Sequence, residues 1–476
     1  MAERVLFLTG RLAVRRLERL LEGLAPLPFE PEVRDLGVKV AALLTEALIH
    51  RRLPGPIEAD RVILPGRFRG DLTALSKHYG APFERGPDEL SDLPEFLGRS
   101  GGPPDLSKFD VRIFAEIVEA PSLDLAGILA RAEAYRAAGA DVIDLGCLPD
   151  TPFPHLEEAV QALADAGLKV SVDSADPQEL QRGGKAGADF LLSLTEDSLD
   201  LLDEVAATPV LIPARHGDLD SLLRAMDALD QRGRAYIADP ILDPIHFGFT
   251  DSLLRYQALR ARRPDAEILM GTGNLTELTD ADSAGVTASL MGIVSELKIA
   301  NVLVVQVSPH CRRVVQEHDA ARRLMYAARA DGSLPNLYSG ALLALHERKP
   351  FTAAPEEIAE LASQISDRNF RIEVAADGIH CYNGEGHRVV QDPFDLFAHL
   401  GVERDGSHAF YLGYELARAE LAWRLGKRYA QDEPLHWGAA LDWEAEDKTH
   451  LKAAGATLKA AKADKRRRAK RSGESR

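Results

Sequence analysis

One pattern limits this chain more than any other. Short apolar runs open near Val111, Asp141, Lys169, Asp189, Pro209, Ala235, Ile268 and Asn301. Most of the segments between them carry apolar residues at helical spacing. Four of the runs follow directly on AAGAD, DAGLK, KAGAD and QRGRA. A helix that closes on such a turn and leads into a buried strand forms an αβ connection, because Gly takes the left-handed cap position. Runs that are apolar throughout suit parallel strands buried on both faces. Eight such units between residues 105 and 330 predict a central (β/α)8 TIM barrel. A doubly wound open sheet is the alternative, but its GxGxxG after an early strand is absent.

The 476 residues exceed what one core needs, so further domains flank the barrel. The first hundred residues read as strand 5–9, helix 12–24, strand 32–36, helix 38–50, strand 61–66 and helix 70–80. That order implies a small parallel α/β sheet. The run GRSGGPPD at 98–105 reads as a linker. From about Phe351 the chain reads as a C-terminal α+β domain over 350–445. It combines the helical stretch EEIAELASQI, a hairpin around NGEG and a helix over 407–430.

The net charge is −17, and residues 448–476 alone carry +9, which leaves an acidic body of −26. An acidic body argues against nucleic acid as a partner. The basic end reads as a disordered, solvated extension. Three scattered cysteines, Cys147, Cys311 and Cys381, form no CxxC pair, which fits a reducing cytoplasm. No apolar run is long enough to span a membrane.

Barrels of this kind place their chemistry at the C-terminal ends of the strands. There the chain offers Glu116 and Glu119, Asp144, Asp173 with Ser174, and Ser193 with Thr195 and Glu196. Further on come Arg215 with His216, Asp239 with Asp243 and His246, Gly271 to Asn274, and Ser308 with His310, Arg312 and Arg313. A carboxylate in an apolar strand is costly to bury alone. Any one of Asp144, Asp173 and Asp239 can be a helix cap or an Arg partner. Three at one rim favour a polar ligand with adjacent N–H donors, which a carboxylate accepts in a fork.

Four elements in order carry a resemblance: IDLG (143–146), SVDS (171–174), ADP (238–240) with HFGF (246–249), and GTGN (271–274). In this order they resemble the pterin-binding family of dihydropteroate synthases and methyltetrahydrofolate-dependent methyltransferases. The resemblance implies that Asp173 and Asp239 hold the pterin, with Asp144, Ser193 and Gly271 beside them. The chain departs from dihydropteroate synthase in having no Lys in GTGNLTE, no Arg-x-His on the last strand and no strand 4 Asn. Asn274 looks more like the strand 7 Asn of the methyltransferases.

RVILPGRFRGDL (61–72), ADPILDPIHFGFTDSLLRY (238–256), VQVSPHCRR (305–313) and SHAFYLGYELARAE (407–420) extend the likeness. On these stretches the whole chain resembles the dihydropteroate-synthase-like proteins of tetrahydromethanopterin biosynthesis, found in methanogens and methylotrophic bacteria. That implies a transferase joining a dihydropterin-methyl pyrophosphate to an arylamine bearing a ribose phosphate. Asp173, Asp239 and Asn274 would be its catalytic residues. Magnesium is expected by resemblance, and Glu116, Glu119 and Asp144 offer hard oxygen ligands with no choice among them fixed.

Ser308, His310 and Arg312 sit where barrels often bind phosphate. Ser308 can equally be a plain helix cap. Arg67 and Arg69, with Arg11, share a sheet edge where such folds bind ligands, or form a solvated loop or an interface with the barrel. A homodimer is expected by family analogy. The alternative functions are a pterin-dependent methyltransferase domain working with a separate corrinoid protein, and a non-catalytic pterin-binding protein.

Overall fold

The computed structural model describes residues 3–442 except 12, 39–40, 42–43, 89, 98–104, 150 and 337. The basic end, 448–476, lies outside the described residues. Two compact units emerge. The first joins Met1–Pro103 to Leu345–His436, and the second takes Pro104–Ala344 and Trp437–Asp442. The regions expected as separate N- and C-terminal domains thus share one unit.

In the second unit, the Gly-closed turns do what their sequence requires. Gly139 and Gly187 adopt φ of 109° and 104° at helix ends, each leading into a buried strand. The strands are β5 (Arg112–Ile117), β6 (Val142–Gly146), β7 (Lys169–Asp173), β8 (Phe190–Leu194), β9 (Thr208–Leu211), β10 (Ile237–Ala238), β11 (Leu269–Gly271) and β12 (Asn301–Val305). All pair in parallel, in the order β10-β9-β8-β7-β6-β5-β12-β11. A parallel bridge from Ala238 to Ile268 joins the two ends, and the sheet is a TIM barrel. Helices return the chain after every strand except β8. There the connection is a 3-10 turn, Leu199–Asp203, where the sequence shows too few residues for a full helix. Val170, Val172, Leu191 and Ile143 pack outward against the helices. Phe114, Val142, Phe190, Leu192, Val210, Ile237 and Leu269 fill the barrel interior. The Phe114 and Phe190 rings meet edge to face, 5.0 Å apart, and close the interior below the site.

In the first unit, β1 (Glu3–Thr9), β2 (Phe29–Asp35), β3 (Arg61–Leu64) and β4 (Phe83–Arg85) form a parallel sheet in the order β2-β1-β3-β4. The helix expected over 38–50 covers only Glu46–Arg52, and Thr45 caps it by accepting from the Leu48 N–H. The fourth strand has three residues, too few to stand out in sequence. β13 (Arg371–Ala375), β14 (Gly378–Asn383) and β15 (Gly386–Val390) form an antiparallel meander, with the expected hairpin between Asn383 and Gly386. Helices Pro355–Ser363 and Gly406–Leu425 pack with it. No helix among the described residues is long and apolar enough to cross a membrane.

Candidate functional site

Strand alternation builds the site. In β5, Phe114 and Glu116 share a face, as do Val142, Asp144 and Gly146 in β6 and Ser171 and Asp173 in β7. Register pairs Glu116 with Asp144 and Asp144 with Ser171. A ring of polar groups therefore lies directly above the apolar interior. Ligand oxygens of Glu116, Asp144 and Asp173 come within 4.8 Å of one another. Gly146 makes the room, since a Cβ there would meet Glu116 Oε1 at 2.5 Å. Asp144 is fully buried. One of its oxygens accepts from the Ser171 hydroxyl, and Oδ2 has no partner.

No Lys or Arg pairs with these three carboxylates among the described residues. Burial, with the Asp173 charge, pushes Glu116 up to about 7. Burial and the charges of Asp173 and Glu116 hold Asp144 well above the carboxylate range, and burial raises Asp173 too. The cluster must keep protons or receive a cation, because adjacent carboxylates cannot all ionise alone.

Strain shapes the next layer. The β8–β9 register slips between Leu191 and Leu194, and Ser193 takes a φ of 72°. That left-handed conformation is costly for a residue with a side chain. It lets the Ser193 hydroxyl donate to Asp173 Oδ1 at 2.6 Å. After β10, Ile241 and His246 are also left-handed, with φ of 66° and 70°. Ile241 thereby turns its N–H onto Asp239 Oδ1 at 2.7 Å, and the buried Tyr256 hydroxyl donates to the same oxygen at 2.7 Å. Burial still brings Asp239 up to about 6. The second oxygens of Asp173 and Asp239 accept no hydrogen bond from the described residues.

The 240–248 loop is tied down. Burial would raise Asp243, but hydrogen bonds from Arg255 (2.6 Å) and His216 (2.9 Å) outweigh it and hold the carboxyl below its usual range. Arg255 also donates to the Ile241 carbonyl, and Asn274 Nδ2 donates to that of Leu242 at 2.7 Å.

The structure therefore brings together Asp144, Asp173, Ser193 and Asp239, and connects Asn274 to the loop that follows Asp239. Gly271 ends β11, directly before this Asn-bearing turn. Ser308 is differently engaged. Its N–H and that of Val307 donate to Glu277, at 2.9 and 2.7 Å, so an internal carboxylate already holds the expected anion position. His310 Nε2 lies 3.1 Å from the Thr276 carbonyl, and Arg312 is exposed. Arg313 binds the Ala439 carbonyl and Asp442 instead of a ligand. Arg67 and Arg69 follow β3 in the first unit and are not part of the barrel.

Tyr256, Arg255 and Glu277 have site roles that sequence reasoning did not assign. Tyr256 sits in the ADPILDPIHFGFTDSLLRY stretch, a run already set apart, and its spacing one turn beyond Ser252 marks a buried helix face.

Residues 3–88 match a family described as "Family of unknown function (DUF6513)". A protein of Methanocaldococcus jannaschii described as "Uncharacterized protein MJ0107" is 24% identical over 525 aligned positions, which cover 91% of this chain and 99% of that one. Among solved structures, the chain is similar to a Yersinia pestis dihydropteroate synthase bound to a pterine-sulfa conjugate. The two are 18% identical with a TM-score of 0.37, over 48% of this chain and 95% of that one. It is likewise similar to a Burkholderia cenocepacia dihydropteroate synthase complexed with 7,8-dihydropteroate. That pair is 19% identical with a TM-score of 0.37, over 47% of this chain and 92% of the other.

Proposed function

We propose that the barrel binds a reduced pterin and joins its methyl pyrophosphate form to an arylamine, as in tetrahydromethanopterin biosynthesis. One observation carries this reading. Asp173 and Asp239 each have one oxygen fixed by internal donors and a second oxygen left for a ligand. The 2-amino and N3–H groups of a pterin are adjacent donors that such carboxylates accept. Strained backbone at Ser193 and Ile241 holds both acceptors in place before any ligand arrives.

In the reaction, the amine nitrogen attacks the exocyclic methylene carbon. The C–O bond to pyrophosphate breaks, its electron pair leaves on the pyrophosphate oxygen, and the amine loses a proton to solvent. The chain's own part is to orient the pterin through Asp173 and Asp239 and to exclude water below it with Phe114 and Phe190. Magnesium fits the acidic cluster: three hard oxygen ligands lie within 4.8 Å, and one Asp144 oxygen is buried without a partner. Held there by Glu116 and Asp144, with Asp173 beside it, it would neutralise carboxylates that cannot all stay ionised alone.

The test is to incubate the protein with the dihydropterin pyrophosphate, Mg²⁺ and candidate arylamines. Pyrophosphate release is expected with the ribosylated arylamine phosphate and not with plain aminobenzoate. Asp239→Asn should abolish pterin binding. Binding without release would sink the transferase reading and leave a binding protein. Methyl transfer from a methylated reduced pterin to an added corrinoid protein would replace it with the methyltransferase reading.

A further inference from the structure

The parallel sheet of the first unit has the order β2-β1-β3-β4. The chain leaves β1 toward β2 on one side, while β3 lies on the other. In open parallel sheets the loops diverge at this reversal, and ligands settle outside the carboxyl ends of the two central strands. A cavity of about 800 Å³ lies at that place, lined by Thr9 and Arg11 after β1 and by Pro65, Gly66 and Arg67 after β3. All of its lining residues belong to the first unit.

The lining is more basic than the chain. Six arginines and four acidic residues face the cavity, in a protein of net charge −17. Several of the arginines are engaged. Arg371 forks onto Asp367, Arg16 donates to the Thr352 carbonyl, and Arg67 lies 3.7 Å from Glu433. Arg11 touches Asp35 only at 3.7 Å, at an exposed rim. The Arg15 guanidinium has no partner among the described residues. Arg15 and Arg16 open the helix Val14–Gly23, which has no acidic residue in its first turn and no side-chain cap. The helix after β3 differs, since Asp71 caps it. The cavity mouth thus combines the unpartnered Arg15 and the loosely paired, exposed Arg11 with helix N–H groups that no side chain caps, which favour an anion.

The apolar part of the remaining wall is Leu361, Ile365 and Val374, beside Glu357, Glu360, Gln364 and Glu373. The floor is preformed. Gly66 packs so closely on the next loop that a Cβ would meet the Pro87 carbonyl oxygen at 2.5 Å. We propose that the first unit is a second binding site, taking a small phosphate monoester with a ring or carbon body. The phosphate meets Arg11 and Arg15, and the body lies against the apolar wall.

The probe is phenyl phosphate, titrated calorimetrically into the full chain beside inorganic phosphate and benzyl alcohol. Phenyl phosphate should bind once per chain, at least ~10-fold tighter than phosphate, with no measurable binding of the alcohol. The double variant Arg11→Gln, Arg15→Gln should weaken it at least ~10-fold. Both side chains are exposed, so their loss leaves the fold intact. Asp239→Asn should leave the titration unchanged, which separates this site from the barrel reading. No binding at ~10 mM probe would overturn the proposal. So would binding indifferent to the arginines, or binding that disappears with Asp239→Asn.

Discussion

Buried titratable groups in this protein pull its stability in two directions. Burial raises Glu116 from an ordinary value of 4.5 to about 7, so between those values the folded chain holds a proton that the unfolded chain has lost. Stability from this group is complete below about 4.5 and is lost as pH rises through about 7, at no more than about 1.4 kcal/mol per pH unit. His318 acts oppositely. Burial lowers it from 6.5 to about 4, so the unfolded chain takes the proton first and stability drains away as pH falls from 6.5 toward 4. Urea midpoints in buffer free of divalent cations should show both. Glu116→Gln should gain on the wild type as pH rises to 8, and His318→Gln should gain on it as pH falls to 5. Parallel profiles for wild type and variants would refute the assignments. At pH 8, adding Mg²⁺ should raise the unfolding temperature of the wild type and not of Asp144→Asn, since a cation that binds only the folded cluster stabilises it. Asp144, Asp173 and Asp239 were legible in sequence because a carboxylate in an apolar run is an anomaly that calls for a partner. Tyr256 and Glu277 were not, because their meaning lies in acceptors and donors 17 and 30 residues away.

At the level of elements, the barrel strands were readable to within two residues of their observed starts, because they are apolar runs and Gly turns precede four of the eight. The failures have local causes. Helical spacing runs unbroken through VKVAALLTEALI, yet the helix starts only at Glu46, where the Thr45 side chain competes for the backbone N–H. The expected 407–430 helix stops at Leu425, where Gly426 takes the left-handed position. The slip in β8 left no sequence mark, although it sets the orientation of Ser193. That slip predicts a trade of stability against binding. Ser193→Gly removes the cost of a left-handed serine, roughly 1 kcal/mol, and also removes the donor to Asp173. The variant should melt no lower than wild type while binding pterin more weakly, as read by thermal unfolding and fluorescence titration. Unchanged affinity would mean the bulge does not serve the site.

At the scale of the whole molecule, composition marked where the chain changes character, and one boundary between the two units falls between Pro103 and Pro104. It could not show that the first and third regions join, because that association is long-range and carries no local signature. Nor did it show that the chain returns to the barrel unit at Trp437–Asp442. Two backbone acceptors take part in fixing the return. The Ala439 N–H donates to the Ala341 carbonyl at 2.6 Å, and Arg313 Nε donates to the Ala439 carbonyl at 3.1 Å. Gly438 makes it possible, with a φ of 55° and no room for a Cβ beside the Ala341 carbonyl oxygen. Gly438→Val adds both a left-handed β-branched residue and that collision, so the segment must lift away. Arg313 then loses its acceptor at the start of the helix Val314–Ala330, which packs on β12 and β5. The cost should be about 1–3 kcal/mol of barrel stability. Limited proteolysis followed by mass spectrometry should find new cleavage within 437–442, together with a lower melting temperature. A variant that stays protected there and melts unchanged would show that the returning segment rests on the barrel unit without supporting it.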